Sequence, residues 1–164
     1  MKTLVTTATN GKIGVDFHGV INTDPSFFQQ LICEFLSRGH EVHIISGGPE
    51  EYIKNYLSEH KIAYSQIWCI YNYYDNKGKI TVYDDGSFYM DDELWNKAKA
   101  DYCRRNNICL HIDDSAVYGK YFTTPYCLYQ SQTKSGILFN QRTAFSGSAK
   151  LCAEKLLTLL AQNQ

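Results

Sequence analysis

The chain has 164 residues, 44% of them hydrophobic and 20% charged, which is the length and composition of a single globular domain able to bury about two-thirds of its unfolded surface. Its 16 Lys and Arg stand against 17 Asp and Glu, so it lacks the basic excess that nucleic-acid and anionic-membrane binders rely on. No run approaches the roughly 18 apolar residues of a membrane span.

The amino-terminal stretch, residues 1–10, is short and Thr-rich and does not read as a secretory signal, so a cytoplasmic location is expected. A β-rich run at 13–17 is the first predicted strand. Asn22-Thr23-Asp24-Pro25 then predicts a helix start, with Asp24 as the cap and Pro25 in the first turn. Phe27, Phe28, Leu31, Ile32, Phe35 and Leu36 follow at helical spacing, and Gly39 closes the helix. A second strand at 41–46 precedes a helix starting near Pro49-Glu50 that is expected to bury Ile53, Tyr56 and Leu57. A third strand is read at 67–71.

Residues 72–90 interrupt the alternation. Asn76-Lys77-Gly78 and Asp84-Asp85-Gly86 are turn signals around a short run at 79–83, predicting a small β-rich cap or lid. Eight of the 13 tyrosines fall between Tyr52 and Tyr89, as an aromatic wall over a pocket or simply as good strand formers. A helix at 92–106 and strands at 109–113 and 126–129 come next. Residues 130–147 lack apolar periodicity and read as a long loop. The last helix, at 148–161, carries Leu151, Cys152, Leu156, Leu159 and Leu160 toward the core. Strands alternating with helices predict an α/β fold, a Rossmann-like open parallel sheet of five strands flanked by helices. The six cysteines contain no CxxC pair and read as reduced core thiols in preference to a zinc site.

Three strand ends carry chemistry. The first strand leads into Asp16, the second into Ser46-Gly47-Gly48 before a helix start, and the fourth into Asp113-Asp114. Ligands of open parallel sheets bind beyond the carboxyl ends of the strands. A hydroxyl with backbone N–H groups at a helix start suits a phosphate. Adjacent carboxylates call for a cation, and hard oxygen donors suit Mg²⁺. For any one of these, a cap or turn is the simpler explanation. Together they point to a phosphoryl-transfer site.

The order Asp16-Phe17-His18-Gly19-Val20, Ile45-Ser46-Gly47, a helical Lys and Ile112-Asp113-Asp114-Ser115 resembles the haloacid dehalogenase superfamily over residues 12–122. The resemblance implies a Mg²⁺-dependent phosphohydrolase with Asp16 as nucleophile. It implies Mg²⁺ at Asp16, the His18 main-chain carbonyl and Asp114, with Asp113 nearby, and phosphate held by Ser46, Gly47 and a lysine. Lys97 and Lys99 both qualify for that lysine. They point about 200° apart on a helix, so one serves, and Lys99 is preferred.

Most phosphatases of that family have a second Asp where this chain has His18. An imidazole can act as acid and base near neutrality, but members lacking the Asp include dehalogenases and phosphonate hydrolases. Two other readings stay open, a noncatalytic module that binds a phosphorylated ligand or phosphoprotein, and a receiver-like domain phosphorylated on Asp16. The expected partner is a small phosphorylated substrate, with neither nucleic acid nor membrane.

Overall fold

The computed structural model describes residues 10–164, so all but Asn10 of the stretch read for a secretory signal lies outside them. The chain runs from β1 (Lys12–Val15) through a single 3-10 turn into α1 (Pro25–Ser37), then β2 (Glu41–Ser46), α2 (Glu50–Glu59), β3 (Gln66–Cys69) and α3 (Ile70–Asp75). A hairpin of β4 (Thr81–Val82) and β5 (Phe88–Tyr89) leads into α4 (Asp92–Arg105). There follow β6 (Ile108–Asp113), α5 (Ala116–Gly119), β7 (Tyr126–Gln130), β8 (Ser135–Leu138), β9 (Gln141–Ala144) and α6 (Ala149–Gln162). Among these described residues no helix is long and apolar enough to cross a membrane.

Local chemistry sets several of these boundaries. The Asp24 carboxylate accepts from the Phe27 N–H at 3.2 Å, and Pro25, with no N–H to lose, opens α1. Asp91 and Ser148 cap α4 and α6 in the same way. Asp92 and Glu93 at the start of α4 and Arg104 and Arg105 at its end complement its dipole.

Five strands are parallel neighbours in the order β3-β2-β1-β6-β7, and β8 and β9 extend that edge antiparallel. The result is an α/β fold with a mixed, mostly parallel seven-stranded sheet. The expected five strands are all present, and residues 130–147 are not the expected long loop but the β8–β9 hairpin. Ser135 and Thr143 are its buried polar positions, and three of the four residues of β9 are exposed, so no apolar alternation marks it. Its turn has Phe139 and Asn140 at φ +50° and +61°, and phenylalanine is not a residue that signals such a turn.

Other elements shift by a few residues. Residues 70 and 71 leave the third strand for α3, so the 72–90 excursion is part helix, and its β portion is the hairpin alone. There Gly86, at φ +85°, and Asp85, accepting from the Ser87 N–H at 2.9 Å, close the turn. Phe17 follows β1 and is not part of it.

Alternation along the strands separates two cores. Val42 and Ile44 join Ile13, Val15 and the apolar faces of α1, α2 and α6, whereas Ile45 joins Ile108 and Tyr102 and Cys103 of α4. In α6 the buried stripe is Ala149, Cys152, Ala153, Leu156, Leu159 and Leu160. Leu151, expected in the core, lies off that stripe and is 64% exposed. Tyr56 is half-buried at the margin of the core. All six cysteines are free thiols, and Cys69, Cys103, Cys127 and Cys152 are buried. Cys33 departs from the core reading on the exposed face of α1, and Cys109 is half-buried.

The order of connections reverses between β1 and β6. The chain builds outward from β1 through β2 to β3, then returns to the other side of β1 with β6 and β7. That switch point opens a crevice at the carboxyl ends of β1 and β6.

Gly14 lets the two central strands carry their side chains at this depth. A Cβ there would come within 2.6 Å of His111 Nδ1 and 2.7 Å of Ile45 Cδ1, both of them buried side chains. Gly14→Ala is therefore expected to destabilise by about 1–3 kcal/mol through overpacking, seen in urea unfolding as a lower midpoint at an unchanged slope.

Candidate active site

Asp16 is the residue at which β1 leaves the sheet. Its N–H still donates to the Ile112 carbonyl at 2.9 Å, which ties it to β6, while its Oδ1 accepts from the Phe17 N–H at 2.7 Å. Asp113 ends β6, and its Oδ1 accepts from the Ser115 N–H at 3.0 Å. The remaining oxygens of both acids face one cation. Lys99 Nζ lies 3.0 Å from Asp16 Oδ2 and 2.8 Å from Asp113 Oδ2. All three are buried, with Lys99 and Asp16 3% exposed and Asp113 fully enclosed.

Lys99 reaches this point from α4, which crosses the sheet face before returning to β6. Lys97 is half-buried on another side of the helix and makes no ion pair among the described residues. Of the two lysines, Lys99 alone joins the acids.

His111, two residues before Asp113 and so on the same face of β6, adds a further donor. Burial holds its imidazole below the ordinary range. Its Nε2 lies 3.0 Å from Asp113 Oδ2, and because an ionised carboxylate only accepts, Nε2 is the donor.

The electrostatics divide the two acids. Burial would raise Asp113, but Lys99 and His111 outweigh it and hold its carboxyl well below the usual carboxylate range. Burial dominates at Asp16 and pushes it up to about 7, with Lys99 opposing and Asp113 adding to the rise. Burial would also lower the Lys99 ammonium, yet the two carboxylates hold it above its ordinary range. Asp114 is raised by partial burial and by the neighbouring Asp113. Three carboxylates thus meet a single ammonium, a shortage of positive charge that a bound cation would correct.

The donor set fits such an ion. Oxygen atoms of Asp16, Asp113 and Asp114 all lie within 4.8 Å of one another, so the group can hold a metal ion, and three carboxylates with no nitrogen or sulfur favour a hard one. Gly19 makes room for the third acid: it sits at φ +76°, and a Cβ there would fall inside the Asp114 carboxylate.

Ser46, at the end of β2, is fully buried, and its Oγ is 3.4 Å from His18 Nδ1. Burial, then the charge of Lys99, lowers the His18 imidazole and favours its neutral form. The expected phosphate seat differs in one respect. Pro49 has no N–H, the Glu50 N–H is taken by Asn72 Oδ1 at 3.0 Å, and Glu50 and Glu51 place acids in the first turn of α2. What remains for an anion is the Ser46-Gly47-Gly48 turn itself, not the helix start behind it.

These groups share a cavity of about 450 Å³, lined by Asp16, His18, Ser46, Gly47, Lys99 and Asp114, with Phe88, Trp95 and Tyr118 on its outer wall. The sequence did not single out those three aromatics. Trp95 lies one turn before Lys99 on α4 and so shares its face, which is the signal that could have found it. Phe88 and Tyr118 come from the hairpin and from α5, and no local pattern links them. Comparison of the sequence with models of known protein families and with curated proteins gave no match.

Removing the ammonium would leave two buried carboxylates facing each other. Lys99→Met is expected to cost about 3–5 kcal/mol, as for other broken buried pairs. Lys97→Met should stay within about 0.5 kcal/mol. Parallel thermal and urea unfolding of the two variants checks the difference.

Proposed function

We propose that the protein is a Mg²⁺-dependent phosphohydrolase that works through an aspartyl-phosphate on Asp16, as members of the haloacid dehalogenase superfamily do. The observation that carries this reading is the buried Lys99 bridging Asp16 and Asp113 at the switch point of the sheet, with the Asp114 oxygens within 4.8 Å and the Ser46 turn on the adjoining strand. Asp16, Ser46, Lys99 and Asp114 line one cavity, although they are spread over nearly 100 residues.

In this reading Asp16 Oδ attacks phosphorus, the bond from phosphorus to the ester oxygen breaks, and the leaving oxygen takes a proton. Water then attacks the same phosphorus, its proton is removed, and the phosphorus–Asp16 bond breaks to regenerate the carboxylate. Ser46 and Lys99 hold phosphoryl oxygens, and Asp113, fixed by Lys99, His111 and the Ser115 N–H, keeps the lysine aimed at Asp16. Mg²⁺, held by Asp16, Asp114 and the His18 main-chain carbonyl, would offset charge on the transferring group.

His18 stands in for the second Asp of haloacid dehalogenase phosphatases: as the imidazolium it gives the proton to the leaving oxygen, and as the neutral imidazole so formed it takes one from the water. Its place in the cavity beside Ser46 supports that role. A neutral imidazole suits the second half-reaction, in which it is the base.

Release of phosphate from para-nitrophenyl phosphate and a panel of phosphometabolites is expected only with Mg²⁺, to be lost on adding EDTA and to fall at least about 10³-fold in Asp16→Asn. Folded, Mg²⁺-loaded protein that binds phosphate but releases none from any ester would instead make this a noncatalytic phosphate-binding module.

A further inference from the structure

The cavity has two chemically different ends. Its floor is polar and charged, whereas its outer wall is three aromatic rings from three elements. Trp95 and Tyr118 are joined by a hydrogen bond from the indole Nε1–H to the phenol oxygen at 3.0 Å. The Phe88 ring centroid lies 5.6 Å from that of Trp95. The rings start at the charged floor itself, because Lys99 Nζ is 5.0 Å from the centre of the Tyr118 ring. A Cβ on Gly47 would come within 3.0 Å of the Trp95 indole, so glycine is what allows the indole to lie against the Ser46 turn.

Phe88 is the unusual member. It is 42% exposed and sits on a hairpin whose strands are two residues long, yet it is held at the cavity mouth. Its ring meets that of Tyr71 edge to face at 5.0 Å, and the Asp84-Asp85-Gly86 turn sets the register that pairs it with Val82. The exposed face of that ring is available to a flat ring entering the cavity.

The charge inventory narrows that partner further. Among the described residues lining the cavity, Lys99 is the one lysine or arginine, and it is already shared by two carboxylates. Beyond the group being transferred, a second phosphate or a carboxylate on the leaving group would find no further lysine or arginine on the lining. Building on the phosphohydrolase reading above, we propose that the substrate is a phosphate monoester whose leaving group carries a neutral planar ring, which packs on Phe88 and Trp95 while the phosphate occupies the Ser46 turn.

Two kinds of molecule share that chemistry, a phenolic ester with the ring directly on the ester oxygen and a nucleoside monophosphate with the ring one sugar away. The test compares kcat/KM for phenyl phosphate, adenosine 5′-monophosphate and glycerol phosphate, for the wild-type chain, Phe88→Ala and Phe88→Tyr. At least one ring-bearing ester is expected to exceed glycerol phosphate by about tenfold or more, the scale of an aromatic contact. Phe88→Ala should remove most of that advantage, and Phe88→Tyr should keep it. The ester whose advantage depends on Phe88 identifies which of the two it is, because phenol is by itself a better leaving group than an aliphatic alcohol. Equal kcat/KM for all three would overturn the ring-bearing substrate and leave the phosphohydrolase standing.

A second measurement separates the two readings in the other direction. Trp95 and Trp68 are the two tryptophans, so in Trp68→Phe the fluorescence reports on Trp95 alone. Ring-bearing monophosphates should quench it with at least about tenfold lower Kd than glycerol phosphate. Such quenching without turnover of any ester would sink the hydrolase reading and keep the ring site. Equal Kd values would sink the ring site whatever the turnover.

Discussion

One buried ammonium organises this protein. Lys99 lies between Asp16 and Asp113, and the three groups come from β1, β6 and α4, elements separated by as much as 97 positions along the chain. Burying any one of them alone would cost several kcal/mol. Burying them together is tolerable because each carboxylate has a second donor, the Phe17 N–H for Asp16 and the Ser115 N–H for Asp113, with His111 adding another to Asp113. The helix that carries the lysine is therefore committed to one position over the sheet, and the sheet must keep β1 next to β6.

That arrangement is also unbalanced by design of its donors. With Asp114 resting over Gly19, three carboxylates answer one lysine. Burial raises Asp16, whereas at Asp113 Lys99 and His111 outweigh burial, so the acid with more donors is the one that keeps its charge. A divalent cation held by the three acids would lower the cost of ionising Asp16.

The legibility of the site varied with the range of the signals. Asp16, Ser46 and Asp113-Asp114 were visible because each closes a short β-type run, and an open parallel sheet brings such ends to one edge. The cap at Asp24-Pro25 and the buried stripe of α1 were equally plain, being dictated by neighbours within one or two turns. The β8–β9 hairpin was not legible, since an edge strand needs little apolar surface and its turn places Phe139 at positive φ. Leu151 misled for the opposite reason: it is apolar, but the stripe that packs on the sheet passes through Cys152 and Leu156.

What the sequence determined by itself was the alternation of strands and helices, the residues at the strand ends, and hence the chemical character of a crevice rich in acids. Those follow from periodicity and from local backbone preference, which act over a few residues. The tertiary structure alone decided that Lys99 and not Lys97 meets the acids, that His111 supports Asp113, that Asn72 removes the start of α2 as a phosphate seat, and that Phe88, Trp95 and Tyr118 share one wall. Each of those depends on where a helix or hairpin sits over the sheet, and that position is set by packing between distant segments, which no local pattern in the chain encodes.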